Sequence, residues 1–555
     1  MEEAGSAFFV STAWTVGGLL LVVAVTGLSR KAGWSAPLVL VAAGVGAAFL
    51  PFTPEVRLDP DVVLIGVLPA LLFAAALQTS YLEVRARGDS ILALSVGLVL
   101  FSVVVIGFVT YWLLDLVVPG LPVAVGVATG LAFGAILAPT DAVSVNALAG
   151  TGRVPRRLAA LLEGEGLLND ATALVSLNTA VFAITNTGVG FGSAIVDFVV
   201  AVVGGVAGGV VVAWVIVQVR RRLRAPVLDT SISLTAPYVA YLPAAWFHGS
   251  GFLAVVLTGI WLGYRAPSFQ SAESRIAERI NWRTVSFLLE NAVFLLIGLQ
   301  LPGIVAAAAR TDIGFLPGVL IIAGIYLTMV LARFAYVFAA TLLYRFGPEV
   351  LRERRWDWRT AFIISFAGVR GVVTLAAVFL LPTGTTPVVG FLQLAAFVIV
   401  VLSLLQGLAV GPLVRVLRLP LPNPEQDRMQ IRNLVAEAQT AAITRLEQEA
   451  SEDDPAELVT SLKRSAEYRV LLGTSDEQGL VRQPDAYSRL RLLMLDSERR
   501  AVMDARQEGR YEESVIDAVL GDFDSIETAL KRSYRRDLAK PAPRPPRFRR
   551  ARSRP

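Results

Sequence analysis

Apolar stretches about as long as a lipid bilayer is thick recur from about residue 8 to about residue 418, with short polar connections between them. A transmembrane α-helix needs about 20 mostly apolar residues. Of all residues in the chain, 55% are hydrophobic. The sequence therefore predicts an all-α, polytopic membrane protein whose transmembrane domain covers residues 1–420. We place about thirteen helices, at roughly 8–29, 35–51, 61–79, 90–117, 121–149, 156–185, 191–219, 227–247, 250–265, 280–300, 313–344, 358–382 and 388–418.

Positive charges in the predicted loops alternate between the two sides of the membrane. The even-numbered loops contain only Arg57 and Arg310, and the N-terminus carries Glu2 and Glu3. The odd-numbered loops contain Arg30, Lys31, Arg85, Arg87, Arg153, Arg156, Arg157, Arg220, Arg221, Arg222, Arg224, Arg265, Arg275, Arg279, Arg345, Arg352, Arg354 and Arg355. Because cytoplasmic loops carry the excess of basic residues, the N-terminus is predicted outside and the C-terminus in the cytoplasm. Arginine outnumbers lysine, and alanine, valine and glycine are abundant, which is typical of a GC-rich bacterial genome. We therefore expect the protein in a bacterial plasma membrane.

Cysteine and histidine content excludes several kinds of site. The chain has no cysteine, which excludes disulfides, thiol catalysis and thiolate metal sites. Its single histidine, His248, argues against histidine-based zinc sites and Ser-His-Asp catalysis. We therefore expect neither thiol-based nor histidine-based catalysis or metal binding. The charged residues in the apolar helices favour a transporter, so we expect a protein that is not an enzyme and that needs no cofactor.

The composition becomes charged and polar after residue 420. Apolar residues there recur at helical spacing, for example Leu434, Ala438 and Ala441, which predicts a small helical cytoplasmic domain over 421–538. The basic, proline-rich segment 539–555 is predicted to be disordered. It either binds anionic lipid headgroups or is a solvated tail without a partner, and we do not expect nucleic-acid binding.

Three carboxylates lie within the predicted sixth helix, at Glu163, Glu165 and Asp170. Ionisable groups at membrane depth are costly and commonly mark an ion or proton pathway. At about 100° per residue, Glu163 and Asp170 share one face of the helix, and Glu165 shares another with Asn169. One face is thus able to present a carboxylate to an ion path while the other contacts a neighbouring helix.

These residues differ in their expected roles. Asp170 is the candidate exchanging group, because a carboxylate in a cavity of low dielectric constant must be neutralised either by a proton or by a cation. For Glu165 we favour a permanent pair with a buried arginine. Glu163 is ambiguous because it is close to the cytoplasmic mouth, and Asn169 is either a ligand or an interhelical hydrogen-bonding residue.

Proline interrupts the predicted fifth helix within Ala138–Asp141. Pro139 lacks a backbone donor, so this stretch is predicted to be unwound, which is tolerated at membrane depth only inside protein or beside a water-filled cavity. Freed carbonyls, with Thr140 and Asp141, are hard oxygen ligands suited to Na⁺. The alternative is a simple kink in which Asp141 caps the second half of the helix.

A second weak segment, Ala367–Gly371, lies in the predicted twelfth helix and contains Arg370. Interruptions at corresponding places in two halves of opposite topology are typical of inverted repeats with a binding site between them. Charged groups on three apolar helices that are able to neutralise one another predict an ion transporter.

Six segments together resemble the monovalent cation/proton antiporter family, in the bacterial form of its sodium/proton exchanger branch. They are Leu68–Leu77, Pro139–Asp141, Glu163–Asp170, His248–Ala254, Phe294–Pro302 and the segment around Arg370. The resemblance implies a thirteen-helix homodimer. It also implies a core domain of helices 4–6 and 11–13, with crossed unwound helices 5 and 12, that moves against a dimerisation domain of the other helices.

The resemblance also implies roles for individual residues. Thr140, Asp141 and Asp170 would contribute to the cation site, with Asn169 and Glu165 at or near it. Arg370 resembles the family arginine that pairs with the glutamate at the position of Glu165. An asparagine before the aspartate is associated with electroneutral exchange of one Na⁺ for one H⁺.

Two positions depart from the family pattern. Gly166 stands where the family commonly has a serine, and Ala74 stands where some relatives have an acidic residue in the third helix. Both differences reduce the number of oxygen ligands, so water or backbone carbonyls would have to compensate.

Other functions remain open from the sequence. A K⁺/H⁺ antiporter is the nearest alternative, because the residues do not decide which monovalent cation fits. An intramembrane aspartyl protease would also use two membrane aspartates, but it would not explain Arg370 or Asn169. A gated channel is disfavoured, because a titratable carboxylate at the centre of the site favours coupling to protons.

Overall fold

The computed structural model describes residues 2–50, 61–79, 81, 85, 88–118, 122–141, 155–185, 191–223, 225–346, 357–382 and 387–419, with short stretches between 429 and 527. Within these ranges the chain is helical and contains no β-strand. The predicted all-α class is confirmed. The chain divides into two compact units, Met1–Pro422 and Asn423–Pro555.

Helices of the first unit are labelled in chain order. They are α1 (Glu2–Ala32), α2 (Ala36–Ala48), α3 (Val62–Gln78), α4 (Gly88–Asp115), α5 (Val123–Leu137), α6 (Arg156–Thr185), α7 (Phe191–Arg220), α8 (Pro226–Trp246), α9 (Gly251–Phe269), α10 (Ala272–Ala308), α11 (Phe315–Phe346), α12a (Trp358–Phe366), α12b (Val372–Ala377), α13 (Val389–Leu408) and α14 (Val410–Val416). Two of them contain a π-helical stretch, Val62–Val67 in α3 and Ala93–Gly97 in α4.

Among the described residues, eight helices are long and apolar enough to cross a membrane, and three further apolar helices, α2, α3 and α5, are shorter. The chain is therefore a multi-pass membrane protein. Every one of the thirteen stretches predicted from the sequence contains helical residues in the described part of the chain. The number of membrane crossings stays a prediction.

The α4 and α5 helices pack with their backbones in contact. Three glycines, Gly107, Gly130 and Gly134, make this approach possible: a Cβ atom on Gly134 would lie 2.9 Å from the backbone nitrogen of Gly107. Small residues at such contacts are typical of helix pairs in membranes. This contact fixes the position of the last turn of α5, which leads into the candidate site.

Helix α10 begins earlier than the sequence predicted, at Ala272 rather than at about residue 280. Ser271 caps it, because the Ser271 side chain accepts a hydrogen bond from the backbone nitrogen of Ser274 at 3.1 Å. The first two turns are charged, so a prediction based on apolar length placed Arg275 and Arg279 in a loop. Both arginines lie in the helix.

Arg220 also differs from its predicted role as a loop charge. It is the last residue of α7 and is 1% exposed. Its guanidinium donates to Asp229 of α8 at 2.7 Å and to Glu278 of α10 at 2.9 Å. Gln270, just after α9, donates to Glu278 at 2.8 Å. This buried network joins the ends of four consecutive helices.

In the second unit the structure describes short helical stretches, among them 438–448 and 459–464. An ion pair joins Lys463 and Glu447. The domain predicted over 421–538 lies mostly outside the described residues, and the tail predicted over 539–555 lies wholly outside them.

Candidate functional site

Two non-helical segments meet at the centre of the first unit. The first follows Leu137 at the end of α5, and the second lies between Phe366 of α12a and Val372 of α12b. The backbone nitrogen of Asp141 donates a hydrogen bond of 2.7 Å to the carbonyl oxygen of Val369. The non-helical stretches predicted within Ala138–Asp141 and Ala367–Gly371 are thus present, and a direct backbone hydrogen bond joins them. The rest of the predicted fifth helix, 142–149, lies outside the described residues.

The Arg370 side chain interacts with the C-terminal ends of α5 and α12a, where the two non-helical segments meet. Its Nε donates to the carbonyl oxygen of Leu137 at 2.9 Å, and its Nη1 donates to the carbonyl oxygen of Gly368. The backbone nitrogen of Arg370 donates to the Ser403 hydroxyl of α13 at 3.0 Å. Carbonyls at the end of a helix lack intrahelical partners and carry partial negative charge. The buried Arg370 side chain therefore supplies these carbonyls with both hydrogen bonds and a compensating positive charge.

The predicted ion pair between Arg370 and Glu165 is wrong, because Arg333 of α11 takes that place. Arg333 Nη1 lies 2.5 Å from Glu165 Oε1, and Nη2 lies 2.9 Å from Oε2. Arg333 Nε donates to the carbonyl oxygen of Ile364 at 3.0 Å, which links the pair to α12a. The planar guanidinium matches a carboxylate with two parallel bonds. The kind of interaction expected for Glu165 is present, with a different partner.

Sequence reasoning missed Arg333 although a signal was present. This residue is a lone arginine in the apolar interior of α11, between Ala332 and Phe334. An ionisable group at that depth by itself predicts a buried partner. Gly368 makes room for it, since a Cβ atom there would lie 2.7 Å from Arg333 Cδ.

Thr140 and Asn169 extend the network around Glu165. Thr140 Oγ1 donates to Glu165 Oε1 at 3.0 Å. Asn169 Nδ2 donates to the carbonyl oxygen of Thr140 at 3.0 Å and to its hydroxyl at 2.9 Å. The interrupted α5 segment is thereby attached to α6. Asn169 Oδ1 is buried and has no hydrogen-bond partner among the described residues.

A cavity of about 400 Å³ adjoins this network. Its lining includes four carboxylates, Asp141, Glu163, Asp170 and Glu290, and no lysine, arginine or histidine among the described residues. From α6 it is lined by Glu163, Gly166 and Asp170, spaced three and four residues apart. Glu165 and Asn169 lie on the other face, in the network with Thr140. The structure has the two-faced arrangement that helical spacing predicted.

Asp170 lines the cavity and is 8% exposed. None of the described residues forms a hydrogen bond or an ion pair with its carboxylate. Glu165, five residues earlier in the same helix, is instead held by Arg333 and Thr140. Two carboxylates of one helix therefore have opposite environments among the described residues.

The other predicted site residues lie as follows. Thr140 and Asp141 line the same cavity, and Asp141 packs directly against Gly371. Gly166 contributes only backbone to the wall. Ala74 is buried outside the lining, which contains its neighbour Ala75 instead.

Carboxylates alone do not form a metal centre here. Within the described ranges, no three histidine, cysteine, aspartate or glutamate side chains come close enough together to hold a metal ion. Thr140 Oγ1 donates one hydrogen bond and accepts one, so one of its lone pairs remains. A cation at Asp170 would therefore need hydroxyl, carbonyl or water oxygens as well.

The sequence and fold are similar to those of known antiporters. Residues 18–416 match the family model described as "Sodium/hydrogen exchanger, transmembrane". The chain is 31% identical to the "Uncharacterized Na(+)/H(+) exchanger YjcE" of Escherichia coli, over 92% of this chain and 97% of that protein. It is 33% identical to the "Sodium, potassium, lithium and rubidium/H(+) antiporter" of Bacillus subtilis, over 62% of this chain and 52% of that protein.

A solved structure has the same fold. The sodium proton antiporter MjNhaP1 of Methanocaldococcus jannaschii superposes with a TM-score of 0.60 at 18% identity, over 74% of this chain and 99% of that one. The family match covers most of the chain and includes both interrupted helices and the α6 carboxylates. The resemblance inferred from the six segments is confirmed, and the chain belongs to the sodium/hydrogen exchanger family of transmembrane antiporters.

Proposed function

We propose that this protein exchanges a monovalent cation, Na⁺, for H⁺ across the plasma membrane, and that the two compete for Asp170. The observation that carries this proposal is the unpaired Asp170 carboxylate in a cavity whose described lining has no basic residue. A bare carboxylate in such a place costs several kcal/mol, so either a proton or a cation neutralises it. Because one excludes the other, each occupant leaves when the other binds.

Neighbouring residues contribute to the coordination of the cation. Asp141 and Thr140 line the same cavity as Asp170, and one lone pair of the Thr140 hydroxyl remains for a cation. The Arg333–Glu165 pair has no role in the proposed exchange. It fixes α6 against α11 and α12a.

The proposed transport cycle is alternating access in a thirteen-helix homodimer with its N-terminus outside and its C-terminus in the cytoplasm. The cavity reaches Gln78 and Thr79, which lie at the end of α3, and Glu163, which lies near the start of α6. The proposed topology puts both ends on the cytoplasmic side. In the state described, Asp170 is then accessible from the cytoplasm, and movement of the core domain exposes it to the other side.

Potassium is the second candidate substrate. The Bacillus subtilis relative is named for transport of sodium, potassium, lithium and rubidium, which favours a site of broad selectivity. Gly166 supplies no side-chain oxygen to the cavity wall, so water completes the coordination shell and the fit to ion size is loose.

The test is exchange by the purified protein in proteoliposomes that contain a pH-sensitive dye. Addition of Na⁺ should change the lumenal pH, and parallel additions of K⁺ and Li⁺ rank the cations. No pH change with any monovalent cation would contradict the proposed function. A response to K⁺ alone would replace Na⁺ by K⁺ as the substrate.

A further inference from the structure

Part of the cavity wall is formed by α3 and α10. From α10 it is lined by Ser286 and Glu290, which are four residues apart and therefore on one face of the helix. None of the described residues forms a hydrogen bond or an ion pair with the Glu290 carboxylate. The Ser286 hydroxyl is buried and also has no partner among them. Sequence reasoning did not single out either residue.

The position of Glu290 along α10 makes an unpaired carboxylate costly. It lies eighteen residues from either end of the helix, Ala272 and Ala308, or about 27 Å at 1.5 Å per residue. Glu278, a buried carboxylate of the same helix, accepts hydrogen bonds from Arg220, Ser233 and Gln270. Glu290 has no such partners in the described structure, and unpaired acidic groups at membrane depth mark ion pathways.

Glu290 and Asp170 lie on different parts of the proposed transport machinery. α10 packs on α2 with backbone contact, where a Cβ atom on Gly44 would lie 2.9 Å from Gly298 Cα. Asp170 lies on α6, which is joined through Thr140 to the interrupted α5 segment. In the proposed cycle α6 moves with the core domain, while α10 belongs to the dimerisation domain and stays in place. Glu290 and Asp170 therefore line one cavity in the state described, and movement of the core takes Asp170 away from Glu290.

We infer that Glu290 and the Ser286 hydroxyl form a cation subsite on the stationary wall, which binds the monovalent cation as it passes between the cytoplasm and Asp170. Carboxylate and hydroxyl oxygens are hard ligands for a partly hydrated monovalent cation. The subsite acts on one side of the membrane only, because it stays behind when Asp170 moves. It raises cation affinity at the face to which the cavity opens and leaves the number of ions per cycle unchanged. This inference rests on the proposed exchange function.

The test compares Glu290→Gln with wild type in everted and right-side-out vesicles, which expose opposite faces of the protein to added Na⁺. At the face to which the cavity opens, KM for Na⁺ should rise about fivefold, equivalent to about 1 kcal/mol. At the opposite face it should stay within about twofold of wild type. Ser286→Ala should raise the first KM by a smaller factor, and Glu290→Asp should give a value between wild type and Glu290→Gln.

Glu273→Gln is the matched control, because Glu273 is an exposed carboxylate in the first turn of the same helix. Its KM values should equal those of wild type at both faces. An unchanged KM in Glu290→Gln, an equal rise at both faces, or a folded but inactive Glu290→Gln protein would each overturn the subsite. If Glu290→Gln does not reach the membrane, an unchanged KM in Ser286→Ala overturns it. Failure of wild type itself to exchange any monovalent cation would contradict the proposed function instead.

Discussion

Arg333 holds both carboxylate oxygens of Glu165, at 2.5 and 2.9 Å, between α11 and α6. Both side chains are buried, and the two residues are 168 positions apart in the chain. The pair neutralises Glu165, and the proposed exchange therefore assigns the competition between proton and cation to Asp170. The two carboxylates are five residues apart in α6, or about 1.4 helical turns.

Replacing Arg333 by alanine should destabilise the protein strongly. Removal of one partner leaves Glu165 as an uncompensated buried charge, which typically costs about 3–5 kcal/mol. We expect a large fall in melting temperature in detergent and little folded protein in the membrane. The control is Arg310→Ala, which removes an exposed arginine and should leave the melting temperature unchanged. A normal melting temperature for Arg333→Ala would mean that the ion pair contributes nothing to stability.

Double-mutant cycles should distinguish Arg333 from Arg370. In a Glu165→Gln background, Arg333→Ala should cost less than it does in wild type, with a coupling free energy of about 1–3 kcal/mol. Arg370→Ala should destabilise the two backgrounds about equally, because its side chain bonds to the carbonyls of Leu137 and Gly368. Stronger coupling of Glu165 to Arg370 than to Arg333 would contradict the geometry described above.

A single methyl group at Gly371 should impair exchange without unfolding the protein. A Cβ atom at Gly371 would overlap the Asp141 side chain, so Gly371→Ala must displace that carboxylate from the cavity. We expect exchange to fall about tenfold or more, equivalent to at least about 1.4 kcal/mol of lost binding or activation free energy. Gly303→Ala is the control, because a Cβ atom there meets nothing within 4 Å. Wild-type exchange by Gly371→Ala would show that the position of Asp141 is unimportant.

Much of the fold follows from local sequence patterns. Proline in Ala138–Asp141 and glycines in Ala367–Gly371 mark the two interruptions, because each weakens a helix wherever it occurs. The division of α6 into a cavity face and a packing face follows from helical spacing alone. The start of α10 does not follow from apolar length, because its first turns are charged and its cap is a single serine, Ser271.

Partners between distant helices are not encoded in local patterns. Arg333 and Arg370 are both buried arginines, and nothing near either residue states which of them reaches Glu165. Which arginine pairs with Glu165 depends on how α11 and α12a pack. The carbonyl of Ile364 accepts a hydrogen bond from Arg333 and orients it towards Glu165, whereas the carbonyl of Leu137 accepts a hydrogen bond from Arg370. Glu290 was missed for a related reason, because its membership of the cavity requires α10 to lie opposite α6.

Exchange should be electroneutral, with one cation for each proton. Asn169 precedes Asp170 and is not able to bind a second proton, and Glu165 stays paired with Arg333. In proteoliposomes clamped with potassium and valinomycin, the rate of Na⁺-driven exchange should not depend on the imposed membrane potential. A clear dependence on potential would show that a second carboxylate of the moving core, Asp141 or Glu163, also carries a proton across.

The most direct test of the account is the Asp170→Asn substitution, assayed in proteoliposomes beside wild type. The amide keeps the size of the side chain but removes the charge for which cation and proton compete. We expect no Na⁺-driven pH change from Asp170→Asn at any Na⁺ concentration, with a melting temperature and oligomeric state equal to those of wild type. Exchange by Asp170→Asn at a rate near that of wild type would contradict the central role of Asp170.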